Sequence, residues 1–249
     1  MDRPSLEALI EAEDLGLEIL HPGGLTITRE LARATGIVTG TRLLEVAAGT
    51  GETARLLAAE FGAQVTATDL SPRMIHRMRD KFPARDSEVQ IAWADAHHLP
   101  FRNNTFDVAL SECAVCHFDK LRALREMARV VHTGGRVGIH DLCWKDGAPE
   151  ALRQRLAELE EERPETLGGW QRAFEAAGLA DVQVFDRSDV MAAWTRDTRR
   201  AMGLSGYLHA VKTALQRWGI AGLQKVFQSE RIFASSHLGY VIVVGVKKG

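Results

Sequence analysis

Two glycines and an aspartate carry the first chemistry legible in the chain. In Leu43-Leu44-Glu45-Val46-Ala47-Ala48-Gly49-Thr50-Gly51-Glu52 an apolar run gives way to Gly-x-Gly and then to a helical pattern. This reads as a buried strand, a tight turn and the start of a helix. Glycine has no Cβ to hold a ligand off the backbone and takes positive φ freely. The first turn of the following helix points its N–H groups at whatever lies there. Twenty residues after Gly49, Val65-Thr66-Ala67-Thr68-Asp69 ends a second strand in a carboxylate placed to accept hydrogen bonds from ribose hydroxyls. Together they describe the nucleoside-binding half of a doubly wound sheet. The dinucleotide fingerprint G-x-G-x-x-G is met only in its alanine form, at Ala54, and no G-x-x-x-x-G-K-[ST] phosphate loop occurs. Glu45 and Glu52 flank the turn, and no basic residue follows before Arg55. A pyrophosphate is repelled there; a cationic sulfonium carrying an amino group is not.

A second concentration of reactive side chains lies in Ser111-Glu112-Cys113-Ala114-Val115-Cys116-His117-Phe118 and in His140-Asp141-Leu142-Cys143-Trp144. Each segment follows an apolar strand pattern, and open α/β sheets bind ligands beyond the carboxyl ends of their strands. Cys113, Cys116 and Cys143 are therefore candidates to border a substrate. Thiolates suit soft, thiophilic centres, and free cysteines serve equally as small buried hydrophobes. His117 and His140 titrate near neutrality, which makes them candidate general bases for an oxygen or carbon nucleophile. His21, in His21-Pro22-Gly23-Gly24, reads either as a residue closing over the ligand or as a plain helix-breaking turn. No metal is expected.

The glycine turn resembles motif I of the class I S-adenosylmethionine-dependent methyltransferases, (D/E)-V-x-x-G-T-G, with Ala47 where a glycine often stands. Further motifs follow in the same order and without a gap, from roughly Thr41 to Leu142: Asp69, the segment Ala94-Asp95-Ala96, Leu99-Pro100-Phe101 leading to Phe106-Asp107, and Gly134-Gly135-Arg136 before the fifth strand. The resemblance implies S-adenosyl-L-methionine as cofactor. It places Glu45, Ala47, Gly49, Thr50, Gly51, Asp69, Leu70, Met74, Asp95, Ala96 and Ser111 around it, with Asp95 toward the adenine amine and His97 and His98 at that rim. Locally, Ser111 to His117 also looks like the S-N-C-V-x-N-L stretch of arsenite methyltransferases, Cys113 falling on the arsenic-binding position. Glu112 and Cys116 stand where asparagines are usual there.

Positioning these residues requires an α/β chain with a mostly parallel, seven-stranded, Rossmann-like sheet. Ser71-Pro72 supplies an N-cap and a proline at the first helical position for a helix from Met74 to Lys81. The strands Val89 to Asp95, Phe106 to Leu110 and Val137 to Asp141, and a helix from Asp119 to Val131, complete the core. Before it, helical spacing predicts helices over 5–20 and 25–35, the second capped by Gly36. After it come helices over 147–163 and 168–178, a strand over 181–185 and a final strand over 238–246. The domain is single, 1–249: N-terminal helices to residue 40, the cofactor-binding core over 41–145 and a substrate-side part from 146. Within the last, 187–236 carries Trp194, Met202, Leu204, Tyr207, Leu208, Leu215, Trp218 and Phe227 at mostly helical spacing. It reads as a helical cap over the pocket or, equally, as a packing or oligomer-contact element.

Composition narrows the function. With 249 residues, 45% hydrophobic and 26% charged, the chain can bury one large core. A net charge of −2 and the lack of a basic run interleaved with aromatics disfavour nucleic acid. An acidic N-terminus and no apolar stretch of spanning length disfavour a signal peptide or membrane partner, so a cytoplasmic protein is expected. Three cysteines do not make a disulfide scaffold. The expected activity is methyl transfer to a small-molecule acceptor. The alternatives are a metalloid or thiol methyltransferase using the three cysteines, and a non-catalytic S-adenosylmethionine-binding sensor or structural protein. Oligomeric state is left open.

Overall fold

The computed structural model describes residues 5, 21–82 and 89–249. The helix expected over 5–20 and the side chain of Met202 lie outside the described residues. In chain order the elements are α1 (Gly24–Ala34), β1 (Arg42–Val46), α2 (Glu52–Phe61), β2 (Gln64–Asp69), α3 (Pro72–Lys81), β3 (Val89–Trp93), β4 (Phe106–Glu112) and α4 (Lys120–Val130). There follow β5 (Val131–Trp144), α5 (Glu150–Glu160), β6 (Glu165–Thr166), α6 (Leu167–Ala176), β7 (Leu179–Asp186), α7 (Met191–Phe233) and β8 (Leu238–Lys247).

The strands form one sheet in the order β3-β2-β1-β4-β5-β8-β7. Pairing is parallel from β3 to β5 and antiparallel where β8 inserts between β5 and β7. Strand order reverses between β1 and β4, which opens a crevice at their carboxyl ends. The expected seven strands are joined by an eighth, the two-residue β6, which pairs with the far end of β5. That strand is too short to leave a period in the sequence. β5 also begins at Val131 rather than Val137, because Val131 pairs with Phe106 of β4 before an irregularity, in which 132–135 bulge out, and pairing resumes at Arg136 with Val108. β3 stops at Trp93, short of the expected Asp95.

Alternation along the strands sorts side chains to two cores. Leu43, Leu142, Tyr240, Ile242 and Val244 pack on one face with α1, α2, α3, α5 and α7. Leu44, Val137, Ile139, Val241 and Val243 pack on the other with α4 and α6. The period of two in strands is what makes both faces apolar. Local capping agrees with the residue types: Ser71 Oγ accepts from Met74 N at 3.4 Å with Pro72 next, and Asp119 accepts from Arg122 N at 3.2 Å. α5 is shorter than expected, starting after Pro149 and ending at Glu161 in the left-handed region (φ 62). α7 is helical as expected but in three pieces, broken at Gly203 (φ 64) and Gly219 (φ 67), where extended ψ values interrupt the ladder. No helix among the described residues is long and apolar enough to cross a membrane.

Candidate active site

A cavity of about 680 Å³ opens at the carboxyl ends of β1, β2 and β4. The glycine turn forms its floor. Ala48 N donates to Thr68 O and Gly51 N to Ala48 O, which folds the turn back on itself. Gly49 has φ 55, and a Cβ built there would meet nothing within 4 Å, so the bare backbone faces the cavity. Gly51 (φ 82) caps α2, and a Cβ there would lie 2.8 Å from Phe82 and 3.0 Å from Met78. Ala47 takes φ 59, so the residue that replaces the usual glycine still adopts glycine's conformation.

Asp69 ends β2 with both carboxyl oxygens engaged. Oδ2 accepts from Gly49 N at 2.9 Å and Oδ1 from Ser71 N at 2.8 Å. The side chain thus braces the turn while each oxygen keeps a lone pair toward the cavity. Burial raises its pKa against the opposing pull of those amides. Asp95 accepts from His97 N at 2.9 Å and meets His97 Nδ1 at 2.7 Å, and Asp119 N donates to His97 Nε2 at 3.1 Å. The histidine therefore holds Asp95 in place, and these bonds lower its pKa. Glu45 is 2% exposed, and its Oε2 has no hydrogen-bond partner among the described residues. Burial, then the nearby Glu112 and Asp69, push its carboxyl well above the ordinary range. Glu52 is neutralised by Arg55 at 2.8 Å and by Lys81.

Of the residues expected around the cofactor, Glu45, Ala47, Gly49, Thr50, Asp69, Leu70, Met74, Asp95 and Ala96 line the cavity. Gly51 and Ser111 stand behind that wall, Ser111 being fully buried in β4. Among the candidate substrate and proton-transfer residues, Cys113 and His117 line it. Cys116 and Cys143 do not: both are buried in the core shared with α4 and α6. The expectation that all three cysteines border one pocket is corrected accordingly. Cys143 sits too far down β5 and packs against Gly239. Burial pushes all three thiols up, Cys143 to about 12. His140 is fully buried, behind the wall rather than on it.

Several contributors were not legible. Glu112, at the end of β4, lines the cavity and meets His140 Nε2 at 2.9 Å and His21 Nε2 at 3.3 Å. Its Oε2 also accepts from Thr53 and from Thr28 at 3.2 Å. Burial alone would raise this carboxyl; the adjacent imidazoles outweigh that and hold it well below the usual range. The sole sequence signal was an acid closing an apolar strand. Glu160, Glu161 and Glu162, at the end of α5, add further acids, and Trp194 and Phe233, from the two ends of α7, add an edge-to-face aromatic pair at 5.2 Å. His117 Nε2 lies 3.5 Å from Glu162 Oε1, and burial lowers the pKa of the ring. None of the described residues lining the cavity is Lys or Arg. Two groups, His21–Glu112–His140 and Cys116–His117–Glu162, bring potential metal donors together, where no metal had been expected.

The bare glycine backbone, the braced Asp69 and the unpaired Glu45 oxygen fit a cationic nucleoside better than a pyrophosphate. Comparison with known proteins agrees. The methyltransferase domain family matches residues 44–139. The O-methyltransferase cnsE of Penicillium expansum is 30% identical over 192 residues, 74% of this chain and 69% of that protein. The 27-O-demethylrifamycin SV methyltransferase of Amycolatopsis mediterranei is 28% identical over 230 residues, 89% of this chain and 82% of that protein. In fold, the chain is similar to Haemonchus contortus phosphoethanolamine N-methyltransferase 2 in complex with S-adenosyl-L-methionine, with a TM-score of 0.77 and 21% identity over 98% of this chain and 57% of that one. The chain belongs to the class I S-adenosylmethionine-dependent methyltransferases, with S-adenosylmethionine as its cofactor.

Proposed function

We propose that the chain methylates a hydroxyl oxygen of a small organic acceptor, with His117 receiving the hydroxyl proton. The carrying observation is a cavity-facing imidazole just beyond β4, kept neutral by burial and backed by Glu162 at 3.5 Å. A neutral ring can accept a proton, and a carboxylate behind it stabilises the imidazolium that results. The oxygen specificity is supported by similarity to the O-methyltransferase cnsE and the 27-O-demethylrifamycin SV methyltransferase.

When bound, S-adenosylmethionine supplies a methyl group on a cationic sulfur, and transfer leaves a neutral thioether. Gly49 and Thr50 hold the cofactor against bare backbone, Asp69 accepts from its ribose hydroxyls, Asp95 receives the adenine amine, and Glu45 pairs with its ammonium group. With the methyl donor bound, His117 would take the proton of the acceptor hydroxyl as its oxygen is methylated. Trp194 and Phe233 close the acceptor side with apolar surface, which favours a step that loses charge. An acid-lined wall without Lys or Arg repels anionic acceptors.

A metalloid reading needs several thiols at one point, and only Cys113 reaches the wall. The test is release of S-adenosylhomocysteine with phenols, alcohols, thiols and arsenite as acceptors. The proposal expects turnover with a hydroxyl acceptor and a large loss in His117→Ala. Turnover with arsenite alone, abolished in Cys113→Ser, would replace it. Cofactor binding without turnover of any acceptor would favour the sensor reading.

A further inference from the structure

We propose that His21, Glu112 and His140 bind a single divalent ion of the zinc or ferrous type, with its open coordination positions facing the cavity. The three side chains come from the turn before α1, the end of β4 and the middle of β5, and one donor atom from each lies within 4.8 Å of the others. Their hydrogen-bond partners let the facing nitrogens act as ligands. His21 Nδ1 lies 3.3 Å from Pro22 O, and a carbonyl only accepts; a proton on Nδ1 leaves Nε2 to present a lone pair to an ion. That lone pair faces Glu112 Oε2 at 3.3 Å.

His140 repeats the pattern. Its Nδ1 meets the Tyr240 hydroxyl at 2.5 Å, which can accept from the ring and leave Nε2 to the ion. His140 Nε2 then faces Glu112 Oε1 at 2.9 Å, yet both atoms are buried without an aligned hydrogen bond. Two imidazole nitrogens and a carboxylate thus converge on one point, where His140 Nε2 and Glu112 Oε1 are buried without a hydrogen-bond partner among the described residues. A cation resolves this.

The donor set and spacing choose the ion. Two histidines and one glutamate form a ligand set of catalytic zinc sites and of ferrous oxygenase sites. Bonds of about 2.0–2.2 Å place neighbouring ligands roughly 3–3.5 Å apart, and the two nitrogens lie 2.9 and 3.3 Å from Glu112 oxygens. The groups behind the ligands are also those a metal site needs. Pro22 O and Tyr240 orient the two rings, while Thr28 and Thr53 anchor Glu112 Oε2 and leave Oε1 to the ion. Because Glu112 and His21 line the cavity and His140 lies behind them, the free positions point toward the acceptor. There the ion would bind an acceptor oxygen and acidify it.

Binding is tested with metal alone, so its outcome is independent of whether the methyl acceptor is an oxygen. The full chain is stripped with chelator, dialysed against Zn2+ and analysed for metal, and separately titrated with Co2+ while its visible spectrum is followed. One ion per chain is expected, with a cobalt spectrum lacking thiolate charge transfer. His21→Ala and Glu112→Gln, checked for fold by circular dichroism, should each lose at least about tenfold in affinity. No stoichiometric uptake would overturn the proposal. So would strong thiolate-to-cobalt absorption, which would place the ion at Cys116–His117–Glu162, or equal affinity in both folded variants. The cobalt spectrum of the unaltered chain decides the ligand type even where a variant fails to fold.

Discussion

Replacing Asp69 probes the join between fold and cofactor. Its carboxylate holds Gly49 N at 2.9 Å and Ser71 N at 2.8 Å, so Asp69→Ala leaves two backbone amides of the floor without their acceptor. Hydrogen bonds to charged groups contribute about 1.5–3 kcal/mol each, so the variant should lose on the order of 3 kcal/mol of stability. The same oxygens are assigned to the ribose. Losing even one charged acceptor there weakens S-adenosylhomocysteine binding by at least about tenfold. Asp69→Asn keeps one acceptor oxygen and turns an amide donor toward the other N–H, so it should recover only part of either loss. Titration calorimetry with urea unfolding on the same samples separates the two effects. The sign with pH follows from burial, which raises this carboxyl above its ordinary value. Cofactor affinity should fall as pH drops through that raised pKa, beginning above the usual aspartate range. A folded Asp69→Asn protein with unchanged affinity would refute the ribose assignment.

Burial lowers the His117 pKa, so the acidic limb of the pH–rate profile should lie below the ordinary imidazole range of about 6.5. Activity is lost there as the ring protonates, and an unchanged limb in His117→Ala would remove the ring from proton transfer. Cys143, 1% exposed and with its thiol pushed up to about 12, should resist alkylation in the folded protein while reacting once unfolded, as mass spectrometry can follow. Rapid native labelling would contradict its placement behind the wall. Gly138→Ala should cost about 1–3 kcal/mol, because the added Cβ would lie 2.4 Å from Thr35 Cγ2 and 3.0 Å from Leu31 Cδ1 and force α1 off β5. A thermal unfolding midpoint equal to that of the unaltered chain would contradict that packing.

The nucleoside half of the site was legible because its signals are local. Gly49 and Gly51 mark a turn that needs positive φ, Ser71-Pro72 and Asp119 mark helix starts, and Asp69 closes a strand of period two. Each depends on a few adjacent residues and on backbone sterics, so it appears in the chain before any packing is known. β6 escaped notice because two residues have no period, and the early start of β5 because it depends on how β4 pairs. The glycines that break α7 read as ordinary helix positions, since spacing alone does not report ψ.

The reactive end of the cavity was decided by tertiary structure. Glu112 and His140 are partners because β4 and β5 pair in the register that sets them side by side. A slip of one residue would turn one of them to the opposite face. Tyr240 reaches His140 through the antiparallel insertion of β8, and His21 arrives because α1 packs on the same face of the sheet. No local pattern encodes those three placements. Register likewise separated the cysteines, which chain position had grouped. Cys113 falls at the mouth of the crevice in a left-handed turn (φ 52), while Cys116 and Cys143 turn into the opposite core. Sequence alone determined a glycine turn with positive φ between a strand and a helix; strand register and helix docking determined which side chains line the rest of the cavity.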